Sequence, residues 1–513
     1  MTAADEPPGV AAKNDDACFP DDGIPTVADR HPPRRAGWGL LQSSDPNGGL
    51  IPDSPRVPSN TRQNRILDGP IRFTVLWLAL PVLGEQLLNA CVTWNDAFLA
   101  GRISAAATGA IGLAGYVGWL MTMLFGLVSI GATAIVARTV GAKDPAAAGQ
   151  ATNQSFTLAI VMGLAGTVFV FSAAPLFARL QNMHGQTATI AIDYMRIDGL
   201  GFTGAAVSFV LAACLRGAGD TRTPMVILGA VNILNLIISW ALTFGLGPIP
   251  GIGVNGIAWG TAIARWLGAC WVFGMLVQGR QGLRLRPALM APSRDMIRRI
   301  LSVGIPAAVD GILLFTGHFI YMAIINRVPT ELPRDVIFAA HIVGIRIVSL
   351  SYMPATAWAL AAATMVGQNL GAGHNQRAQR AGHEALLQTT ILLGASSLLY
   401  SFGAEVLYRF LSNDPRVWVC GTPALMCMAF FQLCLAPLRV YGGALRGAGE
   451  TRVPLIVNTL CLGLIRIPVG ALGGIYFAGG LLGAWVGIYL DLAVRSVLMM
   501  WYYRTGRWQQ VKV

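Results

Sequence analysis

One block of this chain occurs twice. Leu215-Arg216-Gly217-Ala218-Gly219-Asp220-Thr221-Arg222-Thr223-Pro224 returns as Leu445-Arg446-Gly447-Ala448-Gly449-Glu450-Thr451-Arg452-Val453-Pro454, at an offset of 230 residues. Val136, Gly141 and Ala142 line up with Val366, Gly371 and Ala372 at the same offset. Two separate matches at one spacing mean an internal duplication. Repeats of a few tens of residues build solenoids, but a repeat this long and this apolar is half of a membrane protein made of two bundles. The duplication therefore favours transport over soluble binding or catalysis.

The composition places the chain in a bilayer. Hydrophobic residues make up 54% and charged residues 12%, against about 25% charged in soluble domains, and the mean hydropathy is +0.56. Runs long enough to cross roughly 30 Å of hydrocarbon, about 20 residues each, lie at 72–100, 107–137, 152–177, 189–215, 223–247, 253–278, 298–327, 335–367, 380–403, 415–445, 453–477 and 480–503. The expected fold is an all-α integral membrane protein of twelve spans. An even number of spans per half keeps both halves in one orientation, with a pseudo-twofold axis along the membrane normal. Residues 71–279 form the N-terminal lobe, 280–297 a linker, and 298–513 the C-terminal lobe with a short tail. Residues 1–70, rich in Pro, Gly, Asp and Asn, read as a disordered tail. No signal-peptide core precedes the first span, which is expected to direct insertion itself.

A net charge of +12 suggests nucleic acid, but the basic residues fall in alternate loops. Arg138 and Lys143, Arg216 and Arg222, the 280–299 cluster, Arg377 and Arg380, Arg446 and Arg452, and Arg504, Arg507 and Lys512 share one side. That positive-inside bias puts both termini and the 279–297 loop in the cytoplasm of a multi-pass inner (plasma) membrane protein, with no nucleic-acid partner. The eight cysteines include no CxxC pair, and Cys420, Cys427 and Cys434, seven apart, read as packing residues.

An ionisable side chain inside a bilayer costs about 2.5–3.5 kcal/mol even on lenient scales, so each is a functional hypothesis. Asp96 is the sharpest, deep in the first span with Asn89, Trp94 and Asn95 nearby and no basic residue within one helical turn in sequence. Desolvation disfavours a charged carboxylate, so this position suits proton exchange or cation binding; the bland alternative puts Asp96 near the outer surface. Glu85 and Asp310 each follow a proline, Pro81 and Pro306, by four residues, which points either to gating and coupling or to pairing with a loop arginine. Their offset of 225 implies extra residues between spans seven and eight.

Arg346 and His341 lie in span eight, Asp491 and Arg495 in span twelve. Asp491 and Arg495, four apart, read as a neutralised pair. Arg346 either binds an anionic group or pairs with Asp310 across helices, the pairing being preferred. His318 could titrate near neutral pH or simply pack. Asn232 and Asn235 in span five line a cavity or hold helices together. The repeated LRGAG[DE]TR block reads as a structural elbow: its glycines end one helix, and Asp220 or Glu450 and Pro224 or Pro454 start the next. There is no HExxH, GxxxxGK[ST] or GxSxG, and the lone GxGxxG at Gly199 to Gly204 lies inside an apolar run without a preceding strand. An enzyme is not expected.

Over about 72–508 these residues resemble the multidrug and toxic compound extrusion (MATE) transporters, of the bacterial, DinF-like type. The likeness rests on Pro81 through Asp96-Ala97-Phe98-Leu99-Ala100-Gly101, Val136 to Pro145, both LRGAG[DE]TR blocks and Ala339-Ala340-His341 to Arg346. It continues through Val366 to Gly373, Arg466-Ile467-Pro468, and Gly483-Ala484-Trp485-Val486-Gly487 to Arg507-Trp508. The resemblance implies a central cavity and export of organic, often cationic compounds driven by a proton or sodium gradient. It also implies a coupling role for Asp96 and an N-lobe site role for Asn235. Members of this type often carry an acid four residues after that Asn, where this chain has Ser239. One carboxylate offers one proton site or a thin share of a sodium shell, so proton coupling is expected ahead of sodium.

The resulting expectation is an antiporter without cofactor, working as a monomer among membrane lipids on small organic substrates. Asp96 would act with Asn235, Ser239 and Asn89, and with Glu85, Asp310, Arg346 and His318 as further candidates. The alternative is a flippase or exporter for a lipid-linked or natural-product substrate, which calls for a more basic cavity; Arg346 speaks for it.

Overall fold

Apolar runs this long can satisfy their backbone groups in hydrocarbon only as helices or closed barrels, and in the computed structural model they are helices. The structure describes residues 61–246, 250–329 and 331–511. In chain order the helices are α1 (Thr61–Asp68), α2 (Ile71–Ile103), α3 (Ala105–Gly141), α4 (Pro145–Leu180), α5 (Gly185–Leu200), α6 (Phe202–Gly217), α7 (Arg222–Phe244) and α8 (Val254–Gln278). There follow α9 (Arg294–Ile325), α10 (Arg334–Gly371), α11 (Asn375–Leu411), α12 (Pro415–Gln432), α13 (Leu435–Gly447), α14 (Arg452–Cys461), α15 (Ile467–Ala471) and α16 (Gly480–Thr505).

Ten spans are long enough to cross on their own, α14 and α15 serving as parts of one. The fourth and tenth spans are broken, α5 with α6 at 45° and α12 with α13 at 51°. Counting each bent pair once gives twelve crossings, six in each lobe. Ser104 alone separates α2 from α3, and its Oγ accepts from the Ala107 N–H at 3.0 Å; eight residues separate the corresponding α9 and α10.

Both elbows form as their composition dictates. Gly219 and Gly449 take φ of 89° and 86°, open to glycine at little steric cost, and stop α6 and α13. Asp220 then accepts from the Thr223 N–H at 3.1 Å, and Glu450 from the Arg452 and Val453 N–H groups at 3.1 and 3.2 Å. The arginines of the same blocks turn inward: Arg216 donates to both Glu85 oxygens at 3.1 Å, and Arg446 to Asp310 at 2.7 Å. Each lobe thus pins its first span to its fourth with an ion pair, buried on both sides in Glu85–Arg216 and on the acid side in Asp310–Arg446. Removing one partner strands the other, which costs about 3–5 kcal/mol. Arg216→Ala is expected to lower the thermal unfolding midpoint by several degrees, measured on purified protein, while the isosteric pair Glu85→Gln with Arg216→Met loses much less.

The lobes meet reciprocally at the end that carries both blocks, the basic end. Gln368 on α10 donates to the Gly217 carbonyl at 2.8 Å, and Arg138 on α3, its repeat equivalent, donates to the Ala448 carbonyl at 2.8 Å. From there α3 and α9 run against each other. Gly131 meets the Ile300 carbonyl, Gly304 the Leu127 carbonyl and Gly311 the Met123 sulfur. Rings then take over, Trp119 with Phe315 at 4.7 Å and Tyr116 with Phe319 at 5.3 Å. Asn153 and Gln154 of α4 hold the linker by its backbone, at Arg284, Arg286, Leu289, Ala291 and Ser293.

Residues 1–60 of the expected tail lie outside the described residues. Residues 61–68, counted with that tail, are helical; Ile66 is fully buried in a core with Trp358, and Arg377 donates to the Ile66 and Gly69 carbonyls.

Candidate functional site

Asp96 sits in the last third of α2, half-buried, with Oδ1 shielded from solvent and no well-formed hydrogen bond to it; the Asn95 side chain is the polar group beside the carboxylate. Its electrostatic neighbours are Asp198 on α5 and Arg265 on α8, and Tyr194 on α5 shares all three. Leu99, Tyr194, Phe202, Ile257 and Ala258 of the surrounding helices form one core beneath the group.

The break in span four positions Asp198. Gly201 at the bend lets α8 approach so closely that an added Cβ would stand 2.9 Å from the Ala262 Cα, and Gly204 would meet the Arg265 backbone at 3.0 Å. Arg265 therefore reaches the end of α5, donating to the Asp198 carboxylate at 2.8 Å and to its carbonyl at 3.2 Å, with its guanidinium 5.3 Å from the Phe202 ring centroid. Arg265 is bonded to Asp198 alone, with Asp96 as an electrostatic neighbour, so the trio carries a net negative charge when all three are ionised.

Asn235 and Ser239 lean on the same helix. Asn235 donates to Thr261 at 3.1 Å, one turn before Arg265, while its own Oδ1 has no partner. Ser239 is fully buried with its hydroxyl unpaired, hard against Gly260. Asn89 accepts from Asn232 at 2.8 Å, nearer the surface. Helix α8 is thus the common backing of the polar groups on α5 and α7.

Asp198 and Arg265 escaped the sequence reading; Arg265 is an isolated charge inside an apolar run, the signal that marked Asp96, whereas Asp198 has Arg196 two residues before it and reads as part of a charged helix end. Met121 and Phe125 are core residues, whereas Trp94 is exposed.

In the C-terminal lobe the expected pairing of Arg346 with Asp310 does not occur. Arg346 is exposed, and Asp310 is held by Arg446 and by Asn458 at 2.7 Å. Arg446 remains on the buried face because α13 runs one residue past it. Arg495 pairs with Asp491 on one helix face and also reaches Asn458 at 3.4 Å. His341 is buried and accepts from the Trp485 indole N–H at 3.1 Å. His318 lies edge-on to Trp119 of the other lobe, ring centroids 6.0 Å apart. Among the described residues no group of His, Cys, Asp and Glu could hold a metal.

Two six-span lobes joined at the basic end and along α3 and α9, with unpaired buried polar groups inside, have the architecture of a membrane transporter. The MatE family model matches residues 81–241 and 306–472, more than half of the chain. A probable multidrug resistance protein NorM of Thermotoga maritima is 30% identical over 440 residues, covering 86% of this chain and 94% of that protein. The multidrug resistance protein PmpM of Pseudomonas aeruginosa is 28% identical over 435 residues, 83% and 89% of the two chains. A solved multidrug resistance MATE transporter, described in an outward-facing conformation, superposes with a TM-score of 0.82 at 19% identity, over 88% of this chain and 99% of its own. A transporter from Pyrococcus furiosus, described by the reversed polarity of its binding pocket, superposes at 0.80 with 19% identity, over 87% and 98%. This chain belongs to the MatE family, whose members are transporters rather than enzymes.

Proposed function

We propose that the protein is a secondary antiporter that exports amphipathic, mainly cationic organic compounds in exchange for protons by alternating access. The observation that carries the reading is the solvent-shielded carboxylate oxygen of Asp96 beside the Asp198–Arg265 pair. A site with one carboxylate to spare accepts either a proton or an organic cation, and competition between them is what exchange requires. A ligand moves a conformational equilibrium only by its differential affinity for the two states, and a proton bound at Asp96 changes the charge of the whole trio. Sodium fits less well, since hard cations want several oxygen ligands and Ser239 stands where a second acid would help. The multidrug names of the relatives support the substrate class. We place the protein in the inner membrane as a monomer, both termini cytoplasmic, which makes the basic end the cytoplasmic one.

The test is efflux of a fluorescent organic cation from proteoliposomes. A pH gradient without sodium is expected to drive transport, and a sodium gradient at uniform pH to drive none. The reverse result replaces the coupling ion, and failure of both gradients removes the multidrug reading.

A further inference from the structure

Span eleven leaves α-helical winding twice. π turns at Leu462–Arg466 and Leu472–Tyr476 flank the short helix Ile467–Ala471. Such turns are rare and gather at functional sites. The first one ends on Arg466, just before Pro468, in the Arg466-Ile467-Pro468 motif that the exchange mechanism leaves unused.

Arg466 closes a continuous polar chain through the C-terminal lobe. The chain runs from Arg446 to Asp310 at 2.7 Å, on to Asn458 at 2.7 Å, to Arg495 at 3.4 Å, to Asp491, and to Arg466 at 3.9 Å. Arg439 lies 4.5 Å from the Tyr352 ring centroid, with Arg446 and Asp310 as charged neighbours. Asp310 and Asp491 are the acids of this network, against the guanidinium groups of Arg439, Arg446, Arg466 and Arg495, so positive charge is in excess inside the lobe. An uncompensated buried charge is strongly disfavoured, and the excess calls for an anion.

Arg466 is the member free to receive it. Asp491 is already bonded to Arg495. The Arg466 guanidinium lies 5.2 Å from the Tyr321 ring centroid, its Nε is unpaired, and it makes no hydrogen bond among the described residues. Its side chain keeps 17% exposure. His318, which counts Arg466 among its electrostatic neighbours, meets Trp119 across the seam between the lobes. Arg466 is linked through His318 to the rings at the seam, where Trp119, Phe315 and Phe319 form one surface.

We propose that Arg466 is an anion-binding site at the inter-lobe face of the C-terminal lobe. It takes the oxyanion of an amphipathic compound, a carboxylate or a phosphate, whose apolar body rests on these rings. A guanidinium with unspent donors matches that geometry in a two-point fork. The site lies in the lobe opposite Asp96, has the opposite sign, and does not depend on the exchange reading. The oxyanion belongs either to a free organic anion or to a lipid headgroup.

The experiment uses the full-length purified protein and two probes. Fluorescein anisotropy in detergent reads a free organic anion; thermal stability in nanodiscs of phosphatidylglycerol against phosphatidylcholine reads a headgroup. The wild type is expected to respond to at least one. Arg466→Gln should weaken that response about tenfold or more, as for a lost charge-assisted hydrogen bond, while Arg380→Gln at the exposed basic end should leave it intact. Arg466→Lys, which keeps the charge and removes the fork, is expected to fold and to bind severalfold more weakly. If only this variant can be purified, an unchanged affinity overturns the proposal. So does equal binding by wild type and Arg466→Gln, or no response of the wild type to either probe. A fluorescein response assigns a free anion, and a phosphatidylglycerol response alone assigns the lipid.

Discussion

Asp96→Asn is expected to abolish gradient-driven efflux while leaving the protein folded. Asparagine has the shape of aspartate and keeps a carbonyl oxygen for the Asn95 side chain beside it. Packing and the Asp198–Arg265 pair survive. Only the charge goes: the trio becomes permanently neutral, as it would be with a proton fixed on Asp96. Taking a two-state protein from 1:99 to 99:1 needs about 5.5 kcal/mol of differential binding. The proton-dependent part of that drive is the charge on Asp96, and the substitution removes it. Efflux from proteoliposomes under a pH gradient should fall to the level of empty vesicles, with the thermal unfolding midpoint unchanged. Wild-type rates in the variant would take Asp96 out of the exchange and leave the N-terminal lobe without a coupling group.

The fold was largely legible because its signals are local or repeated. Apolar length gives spans, and glycine and acid at fixed places in the duplicated block give elbows, which Gly219 and Gly449 form with almost equal φ. The breaks within spans four and ten were hidden, since Gly201 and Leu433–Cys434 sit in apolar runs that read as continuous. That loss propagated to the site. The bend brings Asp198 to Arg265, 67 residues away, and no spacing rule connects two charges at that separation. Asp96 was found because solitude in an apolar run is itself a signal. The pairing of Arg346 with Asp310 fails for a related reason: the apolar run ends at Leu445 and leaves Arg446 in a loop, but α13 runs on to Gly447 and turns Arg446 inward to Asp310. Ile66 and Leu67 show the limit of composition, because two apolar residues in a polar stretch are enough to dock a short helix when a core stands ready to receive it.

Alanine at Gly141 or at Gly371 should open the crossing between the lobes and cut efflux about tenfold or more. These glycines, paired by the repeat, press on each other's helix. A Cβ on Gly141 would run into the Gln368 carbonyl and one on Gly371 into the Arg138 carbonyl, both closer than real Cβ contacts come. Backbone carbonyls inside helices have no rotamer by which to yield, so α3 and α10 must separate. Separation strains the bonds on either side, Arg138 to the Ala448 and Val511 carbonyls at 2.8 and 2.6 Å and Gln368 to the Gly217 carbonyl at 2.8 Å. Hydrogen bonds from charged donors contribute about 1.5–3 kcal/mol each and neutral ones about 0.5–1.5, enough to shift the lobes toward a state open at the basic end. Hydrogen exchange should show faster turnover at 137–143 and 367–373 in both variants. Because the two glycines serve one crossing, their effects should not add: the double variant should exchange and transport much like either single one. Additive losses would mean two separate contacts, and wild-type protection in both single variants would mean that this crossing is not what keeps the lobes closed.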